Sequence, residues 1–373
     1  MSETLFLVAG EASSDMHAAR VLAELRAIAP GVECFGVGGS NLRAEGMDVV
    51  ADARRLGIVG LFGGWGKVRD ALGAYSSVKR AVRVRGASVA LLMDLPDFNL
   101  TIARELRRLG VPIVYYISPQ VWAWRKYRVR KIRRLVHRML VVFPFEREFY
   151  QAHGIPAEFV GHPLLEVIEP RESFRPQEQI AYDPVIAMLP GSRASELRQH
   201  ATLLRDTGER IRQRYPRARL VVPVASTLSE GEVREAFPEP WFELEIAGGQ
   251  SALRQADLAL VASGTATLEA ALVGTPFCLF YRLGWASRWA FDNIVRYRGF
   301  LGMPNLLLGQ EVVRELLNSE ATAENLFEEC RRLIEDKAAR DECARSLTSC
   351  REILAGGHAS RLVAERLVEV AGW

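Results

Sequence analysis

Short apolar runs at residues 5–9, 34–37, 88–93, 112–117 and 139–143 alternate with segments of helical periodicity, and the same alternation resumes at 185–189, 220–224, 258–262 and 277–281. Strand-length runs interleaved with helices require a parallel sheet covered on its faces, so two such series predict an α/β protein built from two Rossmann-like domains that face each other across a central cleft. A chain of 373 residues has enough apolar material for two cores. Residues 1–164 form the first domain on this reading. The proline- and glutamate-rich stretch 165–183 is the linker, 184–345 the second domain, and 346–373 a helical tail that packs on the first domain or on a partner subunit.

Ligands in such folds gather at the carboxyl ends of the strands, which directs attention to the turns. The stretch VIAMLPGSRASE at 185–196 reads strand, Pro-Gly-Ser turn, then helix. Free N–H groups at the helix start and the Arg193 guanidinium make Gly191, Ser192 and Arg193 a candidate phosphate turn. Ser263, Gly264 and Thr265 form a second turn of this kind, and Glu269 follows one helical turn later, where a carboxylate can accept ribose hydroxyls. Asn305, after Pro304, is a candidate for reading a base edge or a backbone phosphate.

In the first half, GEASSD at 10–15 is a small-residue turn that departs from the GxGxxG pattern of dinucleotide sites, with Asp15 or Ser14 available as a helix cap. Asp94 stands where the run 88–93 emerges; Pro96 stops the strand and Asp97 is suited to cap the helix that follows, which leaves Asp94 as the general-base candidate. Residues 56–68, LGIVGLFGGWGKV, read as an apolar, glycine-rich lid or a buried loop. Residues 118–134 combine Trp122 and Trp124 with a dense basic run, which suits anionic lipid, a phosphorylated substrate, nucleic acid or simply a solvated helix face. His162 reads as a packed or hinge histidine.

The five cysteines are scattered and lack CxxC spacing, which points to reduced thiols and neither disulfides nor zinc. No basic n-region precedes the first apolar run and no run approaches a membrane span, so a cytoplasmic protein able to touch a membrane surface is expected.

The motifs VAGEASSD, MDLPDFNL, SPQVWAWRKYRVRKI, FVGHP, MLPGSRASE, ASGTATLEAAL and MPNLLLGQEVV resemble, in order and spacing, the bacterial lipid-A-disaccharide synthases, over about residues 5–317. The resemblance implies a GT-B glycosyltransferase fold with the UDP donor mainly on the second domain. It implies transfer of 2,3-diacylglucosamine from UDP to 2,3-diacylglucosamine 1-phosphate (lipid X), giving a β(1→6) disaccharide and UDP by one inverting displacement. Asp94 would be the base and Arg193 the group that neutralises the departing diphosphate. Gly191, Ser192, Ser263, Gly264 and Thr265 would assist, with Glu269 and Asn305 on the uridine side. Glu11, Ser13, Asp15 and Asn99 would lie on the acceptor side of the cleft, and Leu61, Phe62, Trp65, Trp122 and Trp124 would meet acyl chains and the inner membrane. No metal or cofactor is implied, and the partners are the two acylated sugars and an anionic membrane surface, not nucleic acid; the chain would be a monomer or a tail-exchanged homodimer.

Two departures from the family pattern stand out. Ser14 replaces the glycine of GEASGD, and Gly60-Leu61-Phe62-Gly63-Gly64 lacks the acidic residue of the usual lid motif. Another UDP-N-acetylglucosamine transferase or epimerase of the same fold, and a nucleic-acid-binding protein using residues 125–138, are the alternative readings.

Overall fold

The computed structural model describes residues 3–53, 65–122, 126–282 and 299–373, with the side chains of 65–72 and 126 left aside. The chain divides into two compact units, Met1–Glu166 with Leu354–Trp373, and Val167–Ile353.

The first unit contains β1 (Thr4–Val8), β2 (Glu33–Gly38), β3 (Asp48–Asp52), β4 (Val89–Leu92), β5 (Ile113–Tyr116), β6 (Arg138–Val141) and β7 (Ala157–Phe159). They pair in parallel in the order β3-β2-β1-β4-β5-β6-β7. The second unit contains β8 (Val185–Leu189), β9 (Arg219–Pro223), β10 (Phe242–Glu245), β11 (Leu258–Ala262), β12 (Phe277–Tyr281) and β13 (Glu315–Leu317), again parallel, in the order β10-β9-β8-β11-β12-β13. Central strands such as β1, β4, β8 and β11 are buried along their whole length, which is why they read as unbroken apolar runs. The sequence pattern misses β3, β10 and β13. All three are edge strands with charged residues (DVVAD, FELE, ELL), and an edge strand needs no continuous apolar face.

Helices cover both faces. Pro96–Arg108 shows the logic: Leu100, Ile102, Ala103 and Leu106 face the core while Arg104, Arg107 and Arg108 are exposed. Helix Lys337–Leu354 ends the second unit's share of the chain. From Val167 onward the segment expected as a linker belongs to that unit, where Arg171 Nη1 donates to the Ala256 carbonyl at 2.7 Å and Arg175 pairs with Asp183 and the buried Asp257.

The last helix, Ala359–Ala371, packs on helix Ala12–Ile28 and is integral to the first unit. Glu166 caps it, accepting from Ser360 N at 2.8 Å and Ser360 Oγ at 2.6 Å. The chain enters it past Gly161, against which a Cβ on Gly356 would fall 2.5 Å from the backbone nitrogen. Side chains other than hydrogen do not fit that crossing. All five cysteines are free and buried.

Candidate functional site

Strand order reverses between β1 and β4 in the first unit and between β8 and β11 in the second. Each reversal opens a crevice beyond the strand ends, so the turns after these four strands are where the fold itself places ligands. Gly10 and Glu11 follow β1, Asp94 and Leu95 follow β4, Gly191 to Arg193 follow β8, and Ser263 to Thr265 follow β11. The strongest sequence candidates all fall on these turns.

Asp94 and Leu95 are consecutive residues at positive φ, +48° and +35°. Such backbone costs about 1–3 kcal/mol per residue and persists only where the surroundings enforce it. Two side chains do so from beneath: Asn99 Nδ2 donates to the carbonyls of Met93, at 2.9 Å, and Asp94, and the Tyr115 hydroxyl donates to the Asp94 carbonyl at 2.8 Å. Both residues are buried and hold the turn from the core side. Burial pushes the Asp94 carboxyl up to about 6; the negative charge of Glu11 adds to the rise, and a hydrogen bond from Ser14 opposes it. A carboxyl poised near neutrality at a switch point is suited to take a proton.

The neighbouring candidates divide. Glu11 and Ser13 are exposed at the start of helix Ala12–Ile28, with Glu11 at its N-cap. Ser14 is buried; its hydroxyl accepts from Glu11 N at 2.9 Å and its one proton is shared between Glu11 O, also at 2.9 Å, and the Asp94 carboxylate. The Asp15 carboxylate is turned inward, accepting from the N–H groups of Gly39 at 2.6 Å and Asn41 at 2.9 Å and from Asn41 Nδ2 at 3.0 Å. It organises the start of helix Ser40–Ala44. Asp97 is not the helix cap either: the helix begins one residue earlier at Pro96, and Asp97 pairs with Arg128.

In the second unit Gly191 has φ +115°, and Arg193 is the exposed N-cap of helix Ala194–Arg214. Across the reversal, Gly264 precedes helix Thr265–Val273, where Ser263 is half-buried and Thr265 exposed; a Cβ on Gly264 would meet nothing within 4 Å. That helix buries six of its nine residues, yet it carries Glu269, whose carboxyl has no hydrogen-bond or ionic partner among the described residues and is raised above its usual range by burial. A half-buried carboxylate without a partner is a group waiting for donors. Asn305 is the opposite case. It is fully buried, its Nδ2 donates to Val313 O at 2.7 Å and Glu315 Oε1 at 2.8 Å, and its Oδ1 accepts from Val312 N and Val313 N. Both polar atoms hydrogen-bond within residues 305–315, so Asn305 clips that segment together.

Trp122 donates through Nε1 to Glu146 Oε1 at 3.1 Å and packs edge-on against Phe145. Glu146 is buried, receives Ser118 Oγ as well, and its carboxyl is pushed up to about 7 by burial. Leu61, Phe62 and Trp124 lie outside the described residues, as does the Trp65 side chain. His162 is packed against Phe143, its Nδ1 accepts from Leu164 N at 3.2 Å, and burial pulls its pKa down to about 3. Among the described residues no cluster of His, Cys, Asp or Glu side chains has the makings of a metal site. Sequence reasoning missed Tyr115, Glu146 and Glu196. The last had a signal, since a Glu three residues after a helix cap is the capping-box position.

The chain matches the family model described as Lipid-A-disaccharide synthetase over residues 5–365. It is 39% identical to the lipid-A-disaccharide synthase of Anaeromyxobacter dehalogenans (strain 2CP-1 / ATCC BAA-258), covering 99% of this chain and 98% of that one. With the same-named protein of Solibacter usitatus (strain Ellin6076) identity is also 39%, over 94% and 93%. A solved structure of UDP-GlcNAc 2-epimerase from Neisseria meningitidis bound to UDP-GlcNAc aligns with TM-score 0.66 at 12% identity, over 98% of this chain and 100% of that one, a likeness of fold. With two Rossmann-like units of the GT-B class and a family match spanning nearly its whole length, the chain belongs to the lipid-A-disaccharide synthases, a family of glycosyltransferases.

Proposed function

We propose that the enzyme moves 2,3-diacylglucosamine from its UDP donor onto the 6-hydroxyl of 2,3-diacylglucosamine 1-phosphate by a single inverting displacement. The acceptor oxygen forms its bond to the anomeric carbon as the bond from that carbon to the diphosphate breaks. Asp94 takes the hydroxyl proton and the bond's electron pair leaves with UDP. Arg193, with the N–H groups of the Gly191–Arg193 and Ser263–Thr265 turns, stabilises the charge gathering on the diphosphate. Glu269 accepts from ribose hydroxyls. The observation that carries the reading is Asp94 itself, a carboxyl raised to about 6 in an enforced left-handed turn at a strand-order reversal. Such a group is ionised at neutral pH yet basic enough to accept a proton.

The acylated substrates require a membrane to draw from. Supporting a peripheral seat on an anionic inner membrane, helix Val129–Leu135 buries Val129 and Ile132 while exposing Arg130, Lys131, Arg133 and Arg134. The adjoining helix Pro96–Arg108 adds Arg104 and Arg107 to the exposed basic surface. Among the described residues no helix is long and apolar enough to cross a membrane.

The test supplies both acylated sugars and follows UDP release and disaccharide mass. Wild type should form product, and Asp94→Ala should lose turnover while retaining UDP. Activity on unacylated UDP-N-acetylglucosamine alone would replace this reading with that of another GT-B enzyme.

A further inference from the structure

The turn after β8 already holds an anion, and it comes from the chain itself. Glu196, in the first turn of helix Ala194–Arg214, folds back so that its Oε2 accepts the N–H of Ser192 at 3.1 Å and of Arg193 at 3.3 Å. Its Oε1 takes Arg193 Nη1 at 3.2 Å. Gly191 makes the room, because a Cβ there would fall 2.5 Å from Glu196 Oε2. Two successive N–H groups and a guanidinium converging on one carboxylate are the same donors that a phosphate at this turn must use. The turn after β11 differs: Gly264 has open space in front of it and Glu269 is unpartnered among the described residues.

We propose that Glu196 is the resident anion of the Gly191–Arg193 turn, exchanged for the nucleotide diphosphate on binding and returning to the same donors as UDP departs. It thereby sets nucleotide affinity and hastens product release. Carboxylate and diphosphate repel each other and compete for the same hydrogens, so the donors are never left bare and never doubly occupied. The proposal rests on the reading of this turn as the diphosphate site. A Glu at this position also serves as a helix cap, and a capping role alone predicts lost stability with no preference between a nucleotide and its nucleoside.

Titration calorimetry on the full chain with UDP and with uridine separates the two. Glu196→Gln keeps the length and one acceptor oxygen but removes the charge. UDP affinity should rise roughly three- to fivefold, the scale of one exposed charge interaction, while uridine affinity stays unchanged. Glu196→Ala should move the UDP-to-uridine ratio in the same direction. Because that ratio is taken on protein competent to bind, a lowered melting temperature does not shift it. A ratio unchanged or lowered in either variant overturns the proposal. A wild-type protein that binds uridine as tightly as UDP overturns instead the placement of the diphosphate, and with it the functional reading on which this one rests.

Discussion

Gly10 and Leu95 interlock across the strand-order reversal of the first unit: a Cβ added to Gly10 would lie 2.1 Å from Leu95 Cγ. The turn after β1 is thereby seated against the left-handed turn that carries Asp94. A glycine is required by the neighbour's side chain here, since Gly10 itself is not among the residues at positive φ.

Gly10→Ala should therefore destabilise the fold by about 1–3 kcal/mol through overpacking and lower turnover by displacing Asp94. Leu95→Ala removes the obstructing atom. In a urea-unfolding double-mutant cycle the pair should show a favourable coupling of about 1 kcal/mol or more. Simple additivity would mean that the contact does not govern the turn.

Asp94→Asn should abolish most turnover, by at least about a hundredfold, while stabilising the protein at alkaline pH. The sign follows from the raised pKa. The unfolded chain ionises in the ordinary carboxylate range and the folded one only at about 6, so the carboxyl costs stability increasingly between these values and fully above the higher one. Thermal melts should show Asp94→Asn more stable than wild type at pH 8, on the order of 1–2 kcal/mol, with little difference at pH 4.

Ser14→Ala should move the acid limb of the kcat/KM profile to higher pH. The Ser14 hydroxyl favours the ionised form of Asp94, and without it burial and the Glu11 charge act unopposed. An unmoved limb would leave Ser14 as a helix-start residue only.

Glu146→Gln should cost stability at pH 5 and progressively less toward pH 8. The buried wild-type carboxyl, raised to about 7, is neutral in the folded state at the lower pH and must ionise in a buried site at the higher one. Trp122 fluorescence followed through the same pH range reports the change directly, because its Nε1 donates to that carboxyl.

The alternation of apolar runs and helical periods was enough to read two parallel-sheet units, because the central strands are buried on both faces and carry their signal in every residue. The edge strands β3, β10 and β13 escaped that reading for the converse reason. The positions of Asp94 and Arg193 just after strands, and of Glu269 one helical turn later, were legible in the residue order. Asp15 and Asn305 looked equally reactive, yet their polar atoms are spent on Gly39, Asn41, Val312 and Val313, partners from 7 to 26 positions away or nearby only after the chain has turned.

Sequence by itself determined where the strand-end turns fall, since strand, small-residue turn and helix are local patterns written in residue order. Tertiary structure decided how the polar groups at those turns are partnered: burial raises Asp94, Asn99 and Tyr115 hold its turn, and Glu196 folds into the turn beside Arg193. Side-chain hydrogen bonds and desolvation depend on what the fold brings within about 3 Å, and spacing along the chain does not encode that.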